Sequence, residues 1–175
     1  FASFLALLCC EQIRMDVAYS KLPVRLIGHH AGISLGFYGT SHHATEDLAI
    51  MRSIANLTVI APADGNQLME VIKATNDYPH PIYIRTQRGR DPEVYARHQP
   101  FTIGKAIAHN SGTDLTIIAT GSTVHPGLEA TRARADANFA AIQGWVDRTP
   151  WIENLVADPA ARSNTSVCLS IVDPE

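Results

Sequence analysis

Three short apolar runs constrain the fold of this chain more than any other feature: Pro23-Val-Arg-Leu-Ile-Gly28, Leu57-Thr-Val-Ile-Ala61 and Ile82-Tyr-Ile-Arg-Thr86. Each is rich in β-branched residues and too short for a helix, so each reads as a mostly buried strand. Helical signals lie between them. One helix is expected from about Glu46 to Ser53, with Thr45 as N-cap and Glu46 and Asp47 at the positive end of its dipole. Another starts at Asp64, which pairs with Gln67 in a capping-box pattern, and runs to about Asn76. Strand–helix–strand–helix–strand at this spacing predicts an α/β fold with a parallel sheet, because parallel neighbours need crossover connections. Ahead of the first strand, Phe4, Leu5, Leu8, Ile13 and Val17 recur at near-helical spacing and predict an amphipathic helix ending near Tyr19.

After the polar loop Arg88–Gln99 the style changes. Ile103–Ala108, the turn Asn110-Ser-Gly-Thr113 and Leu115-Thr-Ile-Ile-Ala119 are expected to be two strands opening a new sheet, with a helix starting at Thr120-Gly-Ser-Thr123. From about Gly127 the chain reads differently again, as a charged helix, two tryptophans and a segment Arg162–Ile171 ending in a strand. With 46% hydrophobic and 18% charged residues the chain can build a sizeable core, which argues against disorder. A net charge of −3 and scattered Lys and Arg argue against nucleic acid as a partner. No apolar run approaches the roughly 20 residues of a membrane span, so no membrane partner is expected. Three cysteines, two of them adjacent at Cys9 and Cys10, suggest no disulfide framework and point to a reduced, cytoplasmic setting. The chain opens on Phe1 rather than Met, which reads as a processed protein or a fragment.

Function is concentrated between the first strand and the next helix. The loop Gly28–Asp47 holds four glycines and four of the eight histidines, His29, His30, His42 and His43. Glycines let the backbone approach a ligand closely, and imidazoles exchange protons near neutral pH or donate hydrogen bonds to anions. Arg88, in the loop after the third strand, offers a planar donor fork suited to phosphate oxygens. For each of these residues a plainer reading stands beside the functional one: a solvated loop charge for Arg88, capping or core roles for the histidines. His43 and Glu46 lie three apart, but no closed ligand set of zinc-like spacing exists, so no metal site is expected.

Phe1–Arg14, Asp16-Val-Ala-Tyr19, the loop Gly28–Asp47, Leu48-Ala-Ile-Met-Arg52, Thr58–Asp64 and Pro81-Ile-Tyr-Ile-Arg85 together resemble the transketolase family. More narrowly, they resemble the pyrimidine-binding domain in the C-terminal half of a split transketolase. The resemblance implies a three-layer α/β fold with a mostly parallel sheet, incomplete at its N-terminal side, over residues 1–100. Residues 101–126 would open the family's C-terminal domain. It also implies thiamine diphosphate as cofactor, bound at a subunit interface, with its magnesium ion and diphosphate held by a partner N-terminal half. The substrate would be a sugar phosphate and the assembly a homo- or hetero-oligomer. By position, Phe1 and Phe4 match aromatics that pack on the pyrimidine ring, although both also suit the start of an ordinary core helix. His30 and His42 match catalytic-site histidines that reach the sugar substrate, and Arg88 matches a phosphate-binding arginine.

Departures from the family pattern matter as much. The glutamate that activates the cofactor ring lies upstream of the stretch represented by Phe1, so the chain alone is expected to be inactive. Tyr38, in Gly36-Phe-Tyr-Gly-Thr-Ser-His42, stands where many transketolases have an acidic residue, and Leu8 stands where related split subunits usually have arginine. The tail 127–175 resembles a different family, the phosphoserine aminotransferases, most specifically at Asp158–Leu169. Pyridoxal-phosphate chemistry needs a lysine, and the last lysine here is Lys105. A chimera joined near His125–Ala130 is therefore expected. The leading expectation is a transketolase-like fragment. The alternatives are a 1-deoxyxylulose-5-phosphate synthase-like protein, an aminotransferase fragment, and a non-catalytic interaction piece.

Overall fold

The computed structural model of the chain describes residues 1–113, 115–150, 152–155, 157–159 and 169–171. These fall into two compact units, Phe1–His125 and Pro126–Glu175.

The first unit is built on three parallel strands: β1 (Arg25–Gly28), β2 (Thr58–Ile60) and β3 (Ile82–Arg85), in the order β1-β3-β2. β3 is central and is apolar on both faces. Tyr83 lies in register with Leu26 and Val59, while Ile84 lies in register with Ile27 and Ile60. Because side chains alternate across a strand, the two rows face opposite sides. The Tyr83 row packs with Ala6, Ile13, Met51 and Ile54. These come from α1 (Ala2–Leu7), the segment Cys10–Tyr19 and the neighbourhood of α3 (Asp47–Ser53). On the other face Ile60, Ile82 and Ile84 pack with Val71 and Leu68 of α4 (Gly65–Thr75). This makes three layers, helix, sheet and helix, in agreement with the expected fold class. Burial of side chains such as Met51, Val71, Ile82 and Ile84, each at most 1% exposed, stabilises the unit by roughly 1.5–3 kcal/mol apiece.

Several local details differ from the expectation. The N-terminal helix is not continuous. α1 ends at Leu7, and α2 (Cys10–Gln12) passes into a wide π-helical stretch, Ile13–Tyr19. Thr45 does not cap α3: Glu46 holds the N-cap position without a side-chain bond, and Asp47 is buried rather than solvated. α4 follows its expected signal closely. Asp64 accepts from the Gln67 amide (2.7 Å), and the Gln67 side chain accepts from the Ala63 amide (2.8 Å). The far end of α4 is closed by Arg25, whose guanidinium donates to the carbonyls of Thr75, Asn76, Tyr78 and His80. One side chain on β1 thus satisfies carbonyls that a helix end leaves open.

The two strands expected at Ile103–Ala108 and Leu115–Ala119 are not present among the described residues. Ile103 packs against the Ile60, Val71, Ile82 and Ile84 cluster, but Leu115 and Ile118 are 76% and 93% exposed. Strand propensity without a ladder partner and a buried face does not make a strand. Thr120 does start a helical turn, Gly121–Thr123, which leads into α5 (Val124–Val146).

In the second unit α5 is followed by an antiparallel pair, β4 (Ile152–Asn154) with β5 (Leu169–Ile171). Asn154 donates to Gln143 of α5 at 3.1 Å. Most of Asp158–Leu169, the stretch expected to be aminotransferase-like, lies outside the described residues.

Candidate functional site

The loop after β1 leaves the sheet at Gly28, a position where no larger residue fits cheaply. A Cβ there would lie 2.7 and 2.8 Å from two ring carbons of Tyr83, a side chain with no exposure and a buried hydrogen bond. The chain then runs beside the continuation of β3. Thr86 donates to Gly28 (2.8 Å), and Ala31 donates to Thr86 (3.1 Å). His30 sits between these contacts in the left-handed region (φ 59°), a conformation costly for a non-glycine residue. Gly32 and Ala44 exchange a pair of 2.9 Å hydrogen bonds and close the neck of the loop.

That path gathers rings. Phe1 packs against Phe4 (5.3 Å between centroids), His29 (4.8 Å), His30 (5.0 Å) and His42 (4.8 Å). Phe4 also meets His42 at 5.2 Å, and Tyr38 meets it at 4.7 Å. The structure therefore brings Phe1, Phe4, His30 and His42 into one patch, half-buried and open to solvent. Leu5 beside them is half-buried as well. His29, for which sequence reading makes no functional claim, joins through a ring-nitrogen hydrogen bond to His30. Phe37 and Tyr38 join on the outer side. The Phe37 ring lies under the Arg88 guanidinium at 5.3 Å, a cation–π contact. The signal for these three is the bare density of rings in the loop.

Charge in the patch is positive in tendency. Burial lowers the His30 pKa below the ordinary imidazole value, and the nearby Arg88 and His42 lower it further. His29 is lowered by burial first, then by the amino group of Phe1 and by His30. A nearby anion would act in the opposite sense, favouring the protonated form of either ring. Ser41 holds the other imidazole, with its Oγ 2.9 Å from His42 Nδ1. Arg88 reaches the patch from the loop after β3 and on its other side borders a cleft of about 450 Å3, walled in part by Asp64, Thr86, Gln87 and Arg90. The cleft meets the histidine loop through Arg88 and through Gln87, whose carbonyl accepts from the His30 amide at 3.4 Å.

Two buried carboxylates hold these loops. Asp64 accepts from the amides of Val94 (2.6 Å) and Tyr95 (2.8 Å), pinning the segment that follows Arg88. Asp47, 1% exposed, accepts from Arg85 Nε (2.8 Å) and from the Tyr83 hydroxyl (2.9 Å). Burial and the Asp47 charge raise the Tyr83 pKa far above its ordinary value, so the phenol stays a donor. Removing one partner of a buried ion pair typically costs about 3–5 kcal/mol. Among the described residues no three His, Cys, Asp or Glu side chains converge as a metal-binding group. No helix among them is long and apolar enough to cross a membrane.

The family model of the transketolase pyrimidine-binding domain matches residues 1–92. An apulose-4-phosphate transketolase subunit of Phocaeicola vulgatus is 38% identical over 121 residues, covering 69% of this chain and 39% of that protein. The 6-deoxy-6-sulfo-D-fructose transketolase subunit SqwH of a Clostridium species is 34% identical over 141 residues, 81% of this chain and 44% of that protein. A solved structure described as a split gene transketolase, inactive beta4 tetramer, superposes with a TM-score of 0.69 at 37% identity, over 76% of this chain and 42% of that one. The chain thus spans about two fifths of the length of these relatives, 39% and 44% for the two subunits. An aminotransferase likeness of residues 127–175 is not shown by these comparisons. With over half its length matched by the family model and its sheet shared with a transketolase structure, the chain belongs to the transketolase pyrimidine-binding domain family.

Proposed function

We propose that this chain supplies the pyrimidine-binding side of a thiamine diphosphate site in an enzyme that transfers a two-carbon ketol unit between sugar phosphates. The gathering of Phe1, Phe4, His30 and His42 in one patch, with Arg88 beside it, carries this reading. The donor set fits the group. Two phenyl rings offer flat apolar faces to an aminopyrimidine, while imidazoles and a guanidinium offer hydrogen bonds and charge to a phosphorylated sugar. When bound, thiamine diphosphate supplies the carbon nucleophile and electron sink of the reaction.

In this reading Phe1 and Phe4 pack on the pyrimidine ring. His30 and Arg88 take the sugar phosphate, and His42, held by Ser41, donates to the hydroxyls beside the reacting carbon. Magnesium and the diphosphate belong to a partner N-terminal half, and the working unit is an oligomer. This follows the relatives described as transketolase subunits and the tetramer among the solved structures. A reduced cytoplasmic setting goes with Cys9 and Cys10, both free thiols among the described residues. With magnesium and the diphosphate assigned to the partner half, the chain by itself is expected to turn over no sugar phosphate.

The test is titration of thiamine diphosphate and magnesium into the chain mixed with the diphosphate-binding subunit of a split relative. Calorimetry is expected to show binding that Phe4→Ala weakens about 10-fold or more, the effect of losing a buried aromatic contact. Binding indifferent to Phe4→Ala would overturn the cofactor assignment. Sugar-phosphate turnover by the chain without any partner would overturn the division of labour.

A further inference from the structure

The two candidate substrate histidines stand in a symmetric relation to the neck of their loop. His30 is two residues before Gly32 and His42 is two residues before Ala44, and Gly32 and Ala44 are the pair that closes the neck. The first limb is tied to the continuation of β3 through Ala31 and Thr86. The second limb has a different anchor. Arg85, the last residue of β3, donates through Nη2 to the Ala44 carbonyl at 3.3 Å and through Nε to Asp47 at 2.8 Å. The same Ala44 carbonyl already accepts from Gly32. Arg85 is therefore the side chain that joins the sheet to both the neck and the start of α3.

We propose that Asp47, acting through Arg85, is a positioning residue that sets the separation of His30 and His42. The inference rests on the reading of these histidines as the anion-binding groups of the site. Its physical basis is the way Asp47 Oδ2 is used. That one oxygen takes both the Arg85 and Tyr83 hydrogen bonds, while the buried Oδ1 has no hydrogen-bond partner among the described residues. The two bonds converge from one strand, so the carboxylate fixes the rotamer of Arg85 as well as neutralising it. A guanidinium held in that way can keep a second bond to Ala44, which a lysine ammonium on a flexible stem would not hold in the same geometry. Gly32 completes the arrangement. Its positive φ (60°) is a backbone conformation that favours glycine, while a Cβ placed there would make only ordinary contact with Arg85 Nη2 at 3.6 Å.

The experiment uses the full chain, with Arg85→Lys as the main variant and Asp47→Asn as the second. Should Asp47→Asn fail to fold, Arg85→Lys, which keeps the charge, still decides the matter. Native-state hydrogen exchange is followed at the Gly32 and Ala44 amides, with the Val71 amide of α4 as an internal reference. Binding of inorganic phosphate is read from the imidazole resonances of His30 and His42. Arg85→Lys is expected to speed exchange at Gly32 and Ala44 by roughly 10-fold or more while Val71 is unchanged, the pattern of local rather than global opening. Phosphate affinity is expected to fall by about 10-fold, the loss of one well-placed charge-assisted contact. Exchange at Gly32 and Ala44 that stays as in the parent, or that rises in step with Val71, would overturn the proposal. If phosphate leaves both imidazoles of the parent chain unmoved, the anion-binding reading falls, while the exchange comparison still judges the anchoring.

Discussion

His30 is held in a left-handed backbone conformation, beside a second imidazole and a guanidinium, with its pKa depressed mainly by burial. The sign of the consequence follows from linkage. A histidine whose folded pKa is lowered binds protons more readily in the unfolded chain, so its contribution to stability is intact above the ordinary imidazole range and is lost as pH falls through it. An anion acts in the opposite sense, because it favours the protonated ring. Affinity for sulfate, which stays a dianion throughout, should therefore rise as pH is lowered from about 8 to about 6, the range in which imidazoles gain charge. His30→Gln should flatten that dependence. A sulfate titration at several pH values measures it, and a flat profile for the parent chain would remove His30 from the anion site. At this scale the sequence is partly legible. His30, His42 and Arg88 stand out in it, Phe1 and Phe4 are singled out only through the family resemblance, and the structure brings the two phenylalanines and two histidines together. His29 does not stand out, because nothing in a linear text distinguishes two adjacent imidazoles until the backbone turns one of them back.

At the scale of elements, the three apolar runs read as strands and are strands, and the Asp64–Gln67 signal marks the start of α4 to the residue. Those signals are local, so they survive in sequence. The anchors are long-range and do not. Arg25 reads as one residue of a buried strand, yet it closes the end of a helix 50 residues away. Asp47 reads as a partner of a helix dipole, yet it faces β3 across 38 residues of chain. The expected strands at Ile103–Ala108 and Leu115–Ala119 fail for the complementary reason: composition favours them, but no ladder forms there among the described residues. Asp64 gives a test at this scale. Asp64→Ala removes the α4 cap and leaves the Val94 and Tyr95 amides without their acceptor. Cap loss alone costs about 1 kcal/mol, and each buried donor left unmade adds roughly 1–3 kcal/mol. Thermal unfolding is expected to show a loss of about 3 kcal/mol or more, together with increased mobility of the loop that carries Arg88. An unchanged melting curve would mean that this loop is held by other contacts.

At the scale of the whole molecule, a three-stranded sheet apolar on both faces is accompanied by bare side chains at Leu115 and Ile118. Exposed β-branched and leucine side chains in an extended segment favour association. Sedimentation of the purified chain is expected to shift to larger species with rising concentration, and Ile118→Lys should reduce that shift. A concentration-independent monomer would show that the segment is covered in solution. Gly28 has a bearing of another kind, on the order in which this site could change over generations. A side chain at position 28 is barred while Tyr83 fills the space, and Tyr83 is itself committed to Asp47. A lineage exploring new loop entrances must first shrink position 83 and forfeit that hydrogen bond, so the two positions mark a valley that single substitutions do not cross.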